Sequence, residues 1–358
     1  MNIGIFTITD GENYGNRLQN YAMQTVLEEK GHNVKTLKTD YYTDHIDIKI
    51  KLFIKKHTNI KNNKFSKRIN AFKKFNKEYI KFEKEIVREN AKFSKLDKYD
   101  CFVVGSDQVW NPNFPTTSGN SFLKFAVGKK KVAIAASFGV DAIDEENVNS
   151  YIENLKTFDA ISVREQSGNN IVRKLLNHDV RVLLDPTLML GREEWDRIAK
   201  KPKCIHSNNF CLCYLLGNQE KAVINKIREY AVGEDMNIVF MENDTCQLGV
   251  STDESFSFNP SEFVWLISHC NKVITDSFHA VIFGMIFQKR LIAIPRDISL
   301  GNMNNRLTDL AEEFKIKNLI SYDYDFSNEA EMDFDLIESV LTAKKKQFND
   351  FLDKNLKD

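Results

Sequence analysis

The sequence is poor in several residue types that mark large classes of protein. Of its 358 residues only 6 are Pro and 15 are Gly, which excludes collagen-like and proline-rich architectures. Its 50 Lys and Arg are balanced by 50 Asp and Glu, so it lacks the basic footprint of nucleic-acid-binding proteins, and no nucleic acid is expected as a partner. The longest apolar run, residues 280–287, is much shorter than the roughly 18 residues that a membrane-spanning helix needs.

The 6 cysteines show no metal-binding or redox spacing. No CxxC pair occurs, and Cys101, Cys211, Cys213 and Cys270 lie in or beside apolar stretches, where a free cysteine behaves as a small hydrophobic residue. The first residues also lack the basic and small-residue pattern of a secretory signal peptide. Together these features predict a cytoplasmic protein with reduced cysteines.

The residues that are present favour an α/β protein with two domains. Hydrophobic residues make up 42% of the chain, enough for substantial cores, and 358 residues exceed the usual size of one domain. Short β-branched and aromatic runs alternate with helical patterns, as in parallel sheets built from βαβ units. Strands are predicted at 2–8, 34–37, 99–104, 131–136, 160–163 and 181–184, then at 210–215, 237–241, 273–275 and 291–294; helices are predicted at 17–30 and 220–230.

A polar stretch without periodicity, residues 200–209, separates the two series. We therefore predict two Rossmann-like, doubly wound domains facing a cleft, at residues 1–200 and 205–330. A final helix within residues 334–358 is expected to pack back across both domains. Ligands of such sheets bind beyond the carboxyl ends of the strands, and the cleft is the expected site.

One segment, residues 49–95, departs from this alternation. It holds 16 Lys and Arg against 4 Glu, with Phe65, Ile69, Phe72, Phe75, Tyr79 and Phe82 at helical spacing. The favoured interpretation is a helical excursion with one buried stripe and a solvated lysine face. The alternative is a surface that binds anionic lipid or an anionic glycan.

The strongest candidate for chemistry is the sequence TDSFHA at residues 275–280, between a buried strand and an apolar helix. Asp276 or Ser277 is suited to cap that helix, whose first backbone N–H groups then attract a phosphate or carboxylate. His279 falls in the first turn, where a ligand would lie, and Asp276 and Ser277 beside it are candidate binding residues. The alternative is a histidine that is hydrogen-bonded to neighbouring backbone.

A second candidate, GSDQVWNP at residues 105–112, directly follows another predicted strand. Glycine and small polar side chains at the end of a strand suit close approach to a ligand, so Ser106, Asp107 and Gln108 are candidate binding residues. The alternative is a polar turn with Trp110 folded over the core.

Two further groups also follow predicted strands. The planar guanidinium of Arg164 can bind a carboxylate or phosphate through two hydrogen bonds. The alternative is an ion pair between Arg164 and Glu165 or an Asp, which would tie a loop to a helix. A polar loop is predicted at residues 13–19. It either binds sugar hydroxyls or caps the first helix. Its candidate binding residues are Asn13, Tyr14, Gly15 and Asn16.

Several common motifs are missing. There is no GxGxxG after the first strand, no GxxxxGK[ST], no HExxH, no GxSxG and no His or Cys pair with metal spacing. NAD enzymes, P-loop NTPases, zinc hydrolases and serine hydrolases therefore lose support, and no metal is expected.

These polar stretches together resemble the polysaccharide pyruvyl transferase family. The matching stretches are residues 13–19, 105–112, 136–139, 162–165, 185–187, 275–280 and 304–307. They occur in order over about residues 1–310, and GSDQVWNP and TDSFHA are the most specific of them.

The resemblance implies an enzyme similar to the GT-B glycosyltransferases in fold, with the acceptor on the amino-terminal side and the donor on the carboxy-terminal side. Such enzymes transfer pyruvate from phosphoenolpyruvate to two hydroxyls of a sugar, forming a cyclic ketal and releasing phosphate. Acceptors are often sugars on a lipid diphosphate carrier, destined for capsule, exopolysaccharide or wall polymers. Arg164 and His279 fall on positions that contact phosphoenolpyruvate, and Arg306, in a further matching stretch, is a candidate substrate-binding residue.

In this scheme protonated His279 is the candidate general acid, and phosphoenolpyruvate is a co-substrate with no other cofactor. The basic segment 49–95 would hold the enzyme at the inner face of the membrane, beside a lipid-linked acceptor. Two alternatives stay open. One is a GT-B glycosyltransferase that uses a nucleotide sugar, and the other is a non-catalytic glycan-binding subunit.

Overall fold

The computed structural model describes residues 1–9, 11–39, 63–87, 96–114, 116–241, 255–296 and 305–357. The chain divides into two compact units. The first comprises Met1–Lys61, Asn76–Met189 and Thr342–Asp358, and the second comprises Asn62–Phe75 and Leu190–Leu341. The domain limits predicted above, the cleft and the packing of the last helix across both domains stay predictions.

A seven-stranded sheet organises the first unit. Its strands are β1 (Asn2–Phe6), β2 (Asn33–Thr39), β3 (Phe82–Val87), β4 (Cys101–Val104), β5 (Lys130–Ala136), β6 (Ala160–Val163) and β7 (Arg181–Val182). The order is β3-β2-β1-β4-β5-β6-β7, and all neighbours are parallel. The order reverses between β1 and β4, and ligands of doubly wound sheets bind at such a switch point, beyond the carboxyl ends of the strands.

The helices connect these strands as βαβ crossovers require. They are α1 (Tyr14–Glu29), α2 (Asn63–Tyr79), α3 (Glu145–Leu155) and α4 (Gln166–Leu176). Two of the predicted elements were wrong in part. The polar stretch 13–19 is not a loop, because α1 begins at Tyr14. Phe82 does not lie on the helical stripe but in β3, which pairs with β2 at the sheet edge.

Trp110 anchors the loop that follows β4. Its side chain is fully buried, its ring lies 5.2 Å from that of Phe138, and its indole N–H donates to the carbonyl of Ser121 at 2.9 Å. The interpretation in which Trp110 folds over the core is confirmed. Because the indole is fixed at both its ring and its N–H, the polar residues just before it are held at the edge of the sheet.

The second unit repeats the same design with five strands. They are β8 (Phe210–Tyr214), β9 (Asn237–Met241), β10 (Ser255–Phe256), β11 (Lys272–Thr275) and β12 (Arg290–Ala293), in the parallel order β10-β9-β8-β11-β12. Its helices are α5 (Arg192–Asp196), α6 (Lys221–Gly233), α7 (Pro260–His269), α8 (Phe278–Ile286) and α9 (Asn305–Phe314). The switch point here lies between β8 and β11. A last helix, α10 (Phe334–Asn355), ends the chain.

A buried lysine fixes the amino end of strand β11. The Lys272 ammonium donates to the hydroxyl of Tyr230 at 2.6 Å, to the carbonyl of Phe326 at 2.7 Å and to a carboxylate oxygen of Glu329 at 3.0 Å. Burial lowers the pKa of Lys272, and the Glu329 carboxylate opposes that effect. This network lies at the edge of the sheet opposite to the switch point, so it supports the strand and stands apart from the candidate site.

The basic segment 49–95 is described only in part, since residues 49–62 and 88–95 lie outside the described ranges. Over 63–79 it is the helix α2, as predicted. Phe72 and Phe75 are buried there, whereas Lys67, Lys74 and Lys77 are exposed on another face. Within the part of the chain that the structure describes, no helix has both the length and the apolar character needed to cross a membrane.

Candidate active site

The first group of predicted residues meets at the switch point between β1 and β4. Gln19 of α1 joins the two strand ends, because its amide N–H donates to the Thr7 hydroxyl at 2.8 Å and its carbonyl oxygen accepts from the Ser106 backbone N–H at 3.1 Å. Sequence reasoning placed Gln19 in the polar stretch 13–19 but gave it no role. Its helical position, one turn into α1, is what turns it towards the sheet edge.

The four candidate residues Asn13, Tyr14, Gly15 and Asn16 lie at the start of α1. Asn13 is the N-cap, and its side-chain oxygen accepts from the backbone N–H of Asn16 at 3.2 Å, so the cap interpretation is confirmed for Asn13. Tyr14 and Gly15 are buried. Contact between these residues and a sugar stays a prediction.

The loop after β4 presents Ser106, Asp107 and Gln108 at the same edge. The Ser106 hydroxyl donates to Asp185 Oδ2 at 3.2 Å, and Gln108 Oε1 accepts from the side-chain amide of Asn111 at 2.6 Å. Gly139 lies so close that a Cβ there would collide with Gln108 Oε1, and its φ is +64°. The loop after β4 and the loop after β5, which holds Gly139, are therefore packed closely against each other.

Arg164 is enclosed by carboxylates. Its Nη1 donates to Asp185 Oδ2 at 2.9 Å, its Nε lies 3.5 Å from Glu165 Oε2, and its Nη1 lies 4.0 Å from Asp107 Oδ1. Burial alone would lower the pKa of Arg164, but the three carboxylates outweigh burial and raise that pKa. The interpretation in which Arg164 pairs with Glu165 and an Asp is what the structure shows.

Charged side chains of both signs are buried at this switch point: three carboxylates surround Arg164, and a second arginine, Arg17, lies in α1 and donates to the carbonyl of Gly11 at 2.6 Å. Three carboxylates face one guanidinium, and their side chains are at most 9% exposed. Carboxylates such as these can accept hydrogen bonds from hydroxyl groups. Contact of Arg164 with phosphoenolpyruvate stays a prediction.

The second cluster lies at the switch point between β8 and β11, in the second unit. Asp276, directly after β11, accepts from the backbone N–H groups of Leu216 at 2.6 Å and Gly217 at 2.7 Å, both in the loop after β8. Its carboxylate also lies 3.4 Å from the Nε of Arg296. Asp276 thus ties three loops at the sheet edge, and a direct contact between Asp276 and substrate stays a prediction.

The next three residues form the start of α8. Ser277 is the N-cap, since its hydroxyl accepts from the backbone N–H of Ala280 at 3.4 Å. His279 lies in the first turn and is 7% exposed. The guanidinium of Arg306 lies 5.6 Å from the centre of the Phe278 ring. The centre of the His279 ring lies 5.5 Å from the centre of the same Phe278 ring. The structure therefore brings Arg306 and His279 to the same end of α8.

Sequence reasoning missed Arg296. It follows β12, its side chain is 8% exposed, and its Nη2 donates to the backbone carbonyl of Asp276 at 2.9 Å. A single arginine after a short strand gives no periodic or motif signal, so only its position beyond a predicted strand end could have identified it. Among the described residues the second cluster holds the cations of Arg296 and Arg306 and the carboxylate of Asp276.

Within the described ranges, no group of three or more His, Cys, Asp or Glu side chains has the geometry to hold a metal ion. Comparison with curated protein sequences gives no significant match.

Solved structures share the fold of the whole chain. A UDP-GlcNAc 2-epimerase from Methanocaldococcus jannaschii, in complex with UDP-GlcNAc and UDP, matches with a TM-score of 0.51 and 12% identity, over 96% of this chain and 94% of that one. The UDP-GlcNAc 2-epimerase from Neisseria meningitidis bound to UDP-GlcNAc matches with a TM-score of 0.50 and 12% identity, over 99% of each chain. At this identity the likeness concerns the fold alone. It confirms the predicted α/β class with two Rossmann-like, GT-B-like units.

The sequence itself is more specific than the fold. The model of the family described as polysaccharide pyruvyl transferase matches residues 13–298, which is most of the chain. The chain belongs to the polysaccharide pyruvyl transferase family, as its motifs predicted, and it is thereby a transferase. The match includes Arg164, His279 and Arg296, whereas Arg306 lies beyond it.

Proposed function

We propose that this protein transfers pyruvate from phosphoenolpyruvate to two hydroxyls of a sugar and forms a cyclic ketal. The observation that carries the proposal is the position of His279 in the first turn of α8, next to Phe278, whose ring the guanidinium of Arg306 approaches. A helix N-terminus and an arginine attract the phosphate or carboxylate of the donor, and a histidine there can move a proton. Family membership supports the same reaction class.

The reaction needs one proton donor and loses two hydroxyl protons. Protonated His279 gives its proton to the methylene carbon of phosphoenolpyruvate, which leaves the adjacent carbon electrophilic. A sugar hydroxyl adds to that carbon, and its proton restores His279. The bond from this carbon to the phosphate oxygen then breaks, and phosphate leaves with the electron pair. The second hydroxyl closes the ketal, and its proton leaves with the phosphate.

The acceptor side of the proposal is supported by the first cluster. Carboxylate oxygens and hydroxyls, such as those of Asp107, Asp185 and Ser106, are the partners that sugar hydroxyls use in proteins. The family implies a sugar or polysaccharide acceptor, and we propose a lipid-linked oligosaccharide of a cell-surface polymer. Arg164 is retained as a donor contact on the strength of the family resemblance.

The second candidate function is transfer of a sugar from a nucleotide sugar. The fold is similar to that of epimerases solved with UDP-GlcNAc, and the cations of the second cluster suit a diphosphate equally well. The two functions differ in the anion that the protein binds, and that difference can be measured without knowing the acceptor.

Thermal unfolding with separate additions of phosphoenolpyruvate and UDP-GlcNAc tests the proposal. A ligand at 100 times its Kd stabilises the folded state by about 2.7 kcal/mol, so the melting temperature should rise with phosphoenolpyruvate. Release of phosphate from phosphoenolpyruvate, screened over a panel of sugars with paired free hydroxyls, then identifies the acceptor. A rise with UDP-GlcNAc alone would instead establish the nucleotide-sugar function.

We also propose that the exposed lysine face of α2 binds anionic membrane. Lys67, Lys73, Lys74 and Lys77 are exposed there, and each basic residue near an anionic surface contributes about 1 kcal/mol. The protein should co-sediment with vesicles that contain anionic lipid, and a variant with these four lysines replaced by Ser should not. Equal sedimentation with anionic and neutral vesicles would remove this proposal.

A further inference from the structure

Gln19 of α1 lies at the centre of a chain of hydrogen bonds at the switch point between β1 and β4. Its side chain is fully buried, and its Nε2 donates to the Thr7 hydroxyl at 2.8 Å and to the Asn16 carbonyl at 3.1 Å. Its Oε1 accepts from the backbone N–H of Ser106 at 3.1 Å. Both ends of the amide are therefore engaged, and one buried side chain connects the end of β1, the helix α1 and the loop after β4.

Ser106 continues this chain to Arg164. The Ser106 hydroxyl donates to Asp185 Oδ2 at 3.2 Å, and the same oxygen accepts from Arg164 Nη1 at 2.9 Å. The other carboxylate oxygen, Oδ1, accepts from the backbone N–H of Thr187 at 3.0 Å. Ser106 and Asp185 are both buried, so bulk water has little access to these bonds. The orientation of the guanidinium therefore depends on a carboxylate that Ser106 helps to fix.

The order of these bonds means that a change at Gln19 reaches Arg164. Hydrogen bonds that form a continuous buried network strengthen one another and act as a unit. An arginine binds a carboxylate or phosphate through two parallel hydrogen bonds, which requires the guanidinium plane to be held in a fixed orientation. A displacement of about 1 Å, caused by a residue far from the chemistry, can lower a rate about 10²-fold. The alignment of Arg164 is therefore the property through which Gln19 can affect the reaction.

We propose that Gln19 is a positioning residue for the binding of phosphoenolpyruvate. It fixes the backbone of Ser106, whose hydroxyl in turn holds Asp185, and Asp185 orients the guanidinium of Arg164. The contact between Arg164 and phosphoenolpyruvate rests on the proposed function. The role of Gln19 goes beyond that function, because both ends of its amide are bound within the protein and it acts only through the next residues in the chain of bonds.

Gln24 offers a matched control in the same helix. It is buried, its Nε2 donates to the carbonyl of Tyr79 at 3.1 Å, and its Oε1 accepts from the backbone N–H of Lys81 at 2.7 Å. Gln24 thus makes the same kinds of bond as Gln19, but its partners lie where α2 leads into β3. Loss of either amide should therefore have a similar effect on stability, and only loss of the Gln19 amide should affect Arg164.

Isothermal titration with phosphoenolpyruvate compares the two glutamines. Gln19→Met and Gln24→Met keep the length of the side chain and remove its hydrogen-bonding groups. A charged hydrogen bond contributes about 10-fold or more to binding, and a misaligned guanidinium loses part of that contribution. We therefore expect Kd to rise about 5- to 10-fold in Gln19→Met and to stay unchanged in Gln24→Met. Melting curves should show similar destabilisation in the two variants.

A double-mutant cycle with Ser106→Ala shows whether the effect travels along the proposed chain. Ser106→Ala keeps the backbone N–H that donates to Gln19 and removes only the hydroxyl that donates to Asp185. Residues of one hydrogen-bond network show non-additive effects, whereas independent residues show additive ones. Kd should also rise in Ser106→Ala, and the double variant should bind no more weakly than the weaker of the two single variants. A merely structural role of Gln19 would not produce this pattern.

An unchanged Kd in folded Gln19→Met overturns the positioning role and leaves pyruvyl transfer intact. An equal rise in Gln24→Met, or effects that multiply in the double variant, has the same consequence. Failure of the unmodified protein to bind phosphoenolpyruvate overturns both proposals. If Gln19→Met does not fold, Thr7→Val takes its place in the cycle, since it removes the hydroxyl that holds the Gln19 amide with little change in volume. Kd should then rise about 2- to 5-fold, and an unchanged Kd overturns the role.

Discussion

Replacement of His279 by alanine is expected to lower turnover about 10²–10⁴-fold, because a positioned general acid contributes a factor of that size. Binding of phosphoenolpyruvate should change little, since the cations of Arg296 and Arg306 remain. The measurement is the rate of phosphate release with the acceptor identified in the sugar screen, together with Kd for phosphoenolpyruvate from titration. A large loss in kcat with a nearly constant Kd is the expected pattern.

His269→Ala provides the matched control. His269 lies in the same unit, in α7, with its ring 4.2 Å from that of Trp265, and no step of the mechanism uses it. His279→Gln, which keeps a polar side chain but has no acidic proton to give, should lose turnover to a similar extent. Turnover near normal in His279→Ala would remove the acid role.

Replacement of Arg164 by methionine is expected to destabilise the first unit by about 3–5 kcal/mol, because breaking a buried ion pair leaves unpaired charge behind. Here the carboxylates of Asp107, Glu165 and Asp185 would lose their shared cation, and Asp185 is fully buried. Urea unfolding at neutral pH measures the change. Arg164→Lys keeps the positive charge, so its free energy of unfolding should fall by less than that of Arg164→Met.

Arg173→Met is the control for this comparison. Arg173 lies in α4 of the same unit with a side chain that is 58% exposed, so its removal should change stability by no more than about 0.5 kcal/mol. A loss no larger than that of Arg173→Met would show that the three carboxylates do not depend on Arg164.

The stability result bears on how loss of activity at Arg164 is interpreted. If Arg164→Met unfolds the loops that carry Ser106 and Asp107, its inactivity says nothing about donor contact. Arg164→Lys, if folded, separates the two roles, because a point charge satisfies the carboxylates better than it reproduces a bidentate fork. Titration of that variant with phosphoenolpyruvate then measures the donor contact.

Much of the fold could be predicted because its signals are local. The strands at 160–163 and 237–241 have the predicted bounds, since short buried runs between polar turns identify parallel strands. The strand β3 was missed because Phe82 continues the aromatic spacing of α2, and only pairing with β2 at the sheet edge makes it a strand. Asn13 was placed in a loop because the helix start depends on its cap, which a single polar residue does not distinguish.

The sequence by itself determined the order of strands and helices, the polar character of the strand ends and the family, because periodicity, caps and motifs act over a few residues. The tertiary structure decided which of these ends meet. It placed Asp107, Glu165 and Asp185 around Arg164, and it joined Asp276 to Arg296 across neighbouring strands. The charge of each cluster is a sum over residues far apart in the chain, and only folding into parallel sheets brings those residues together.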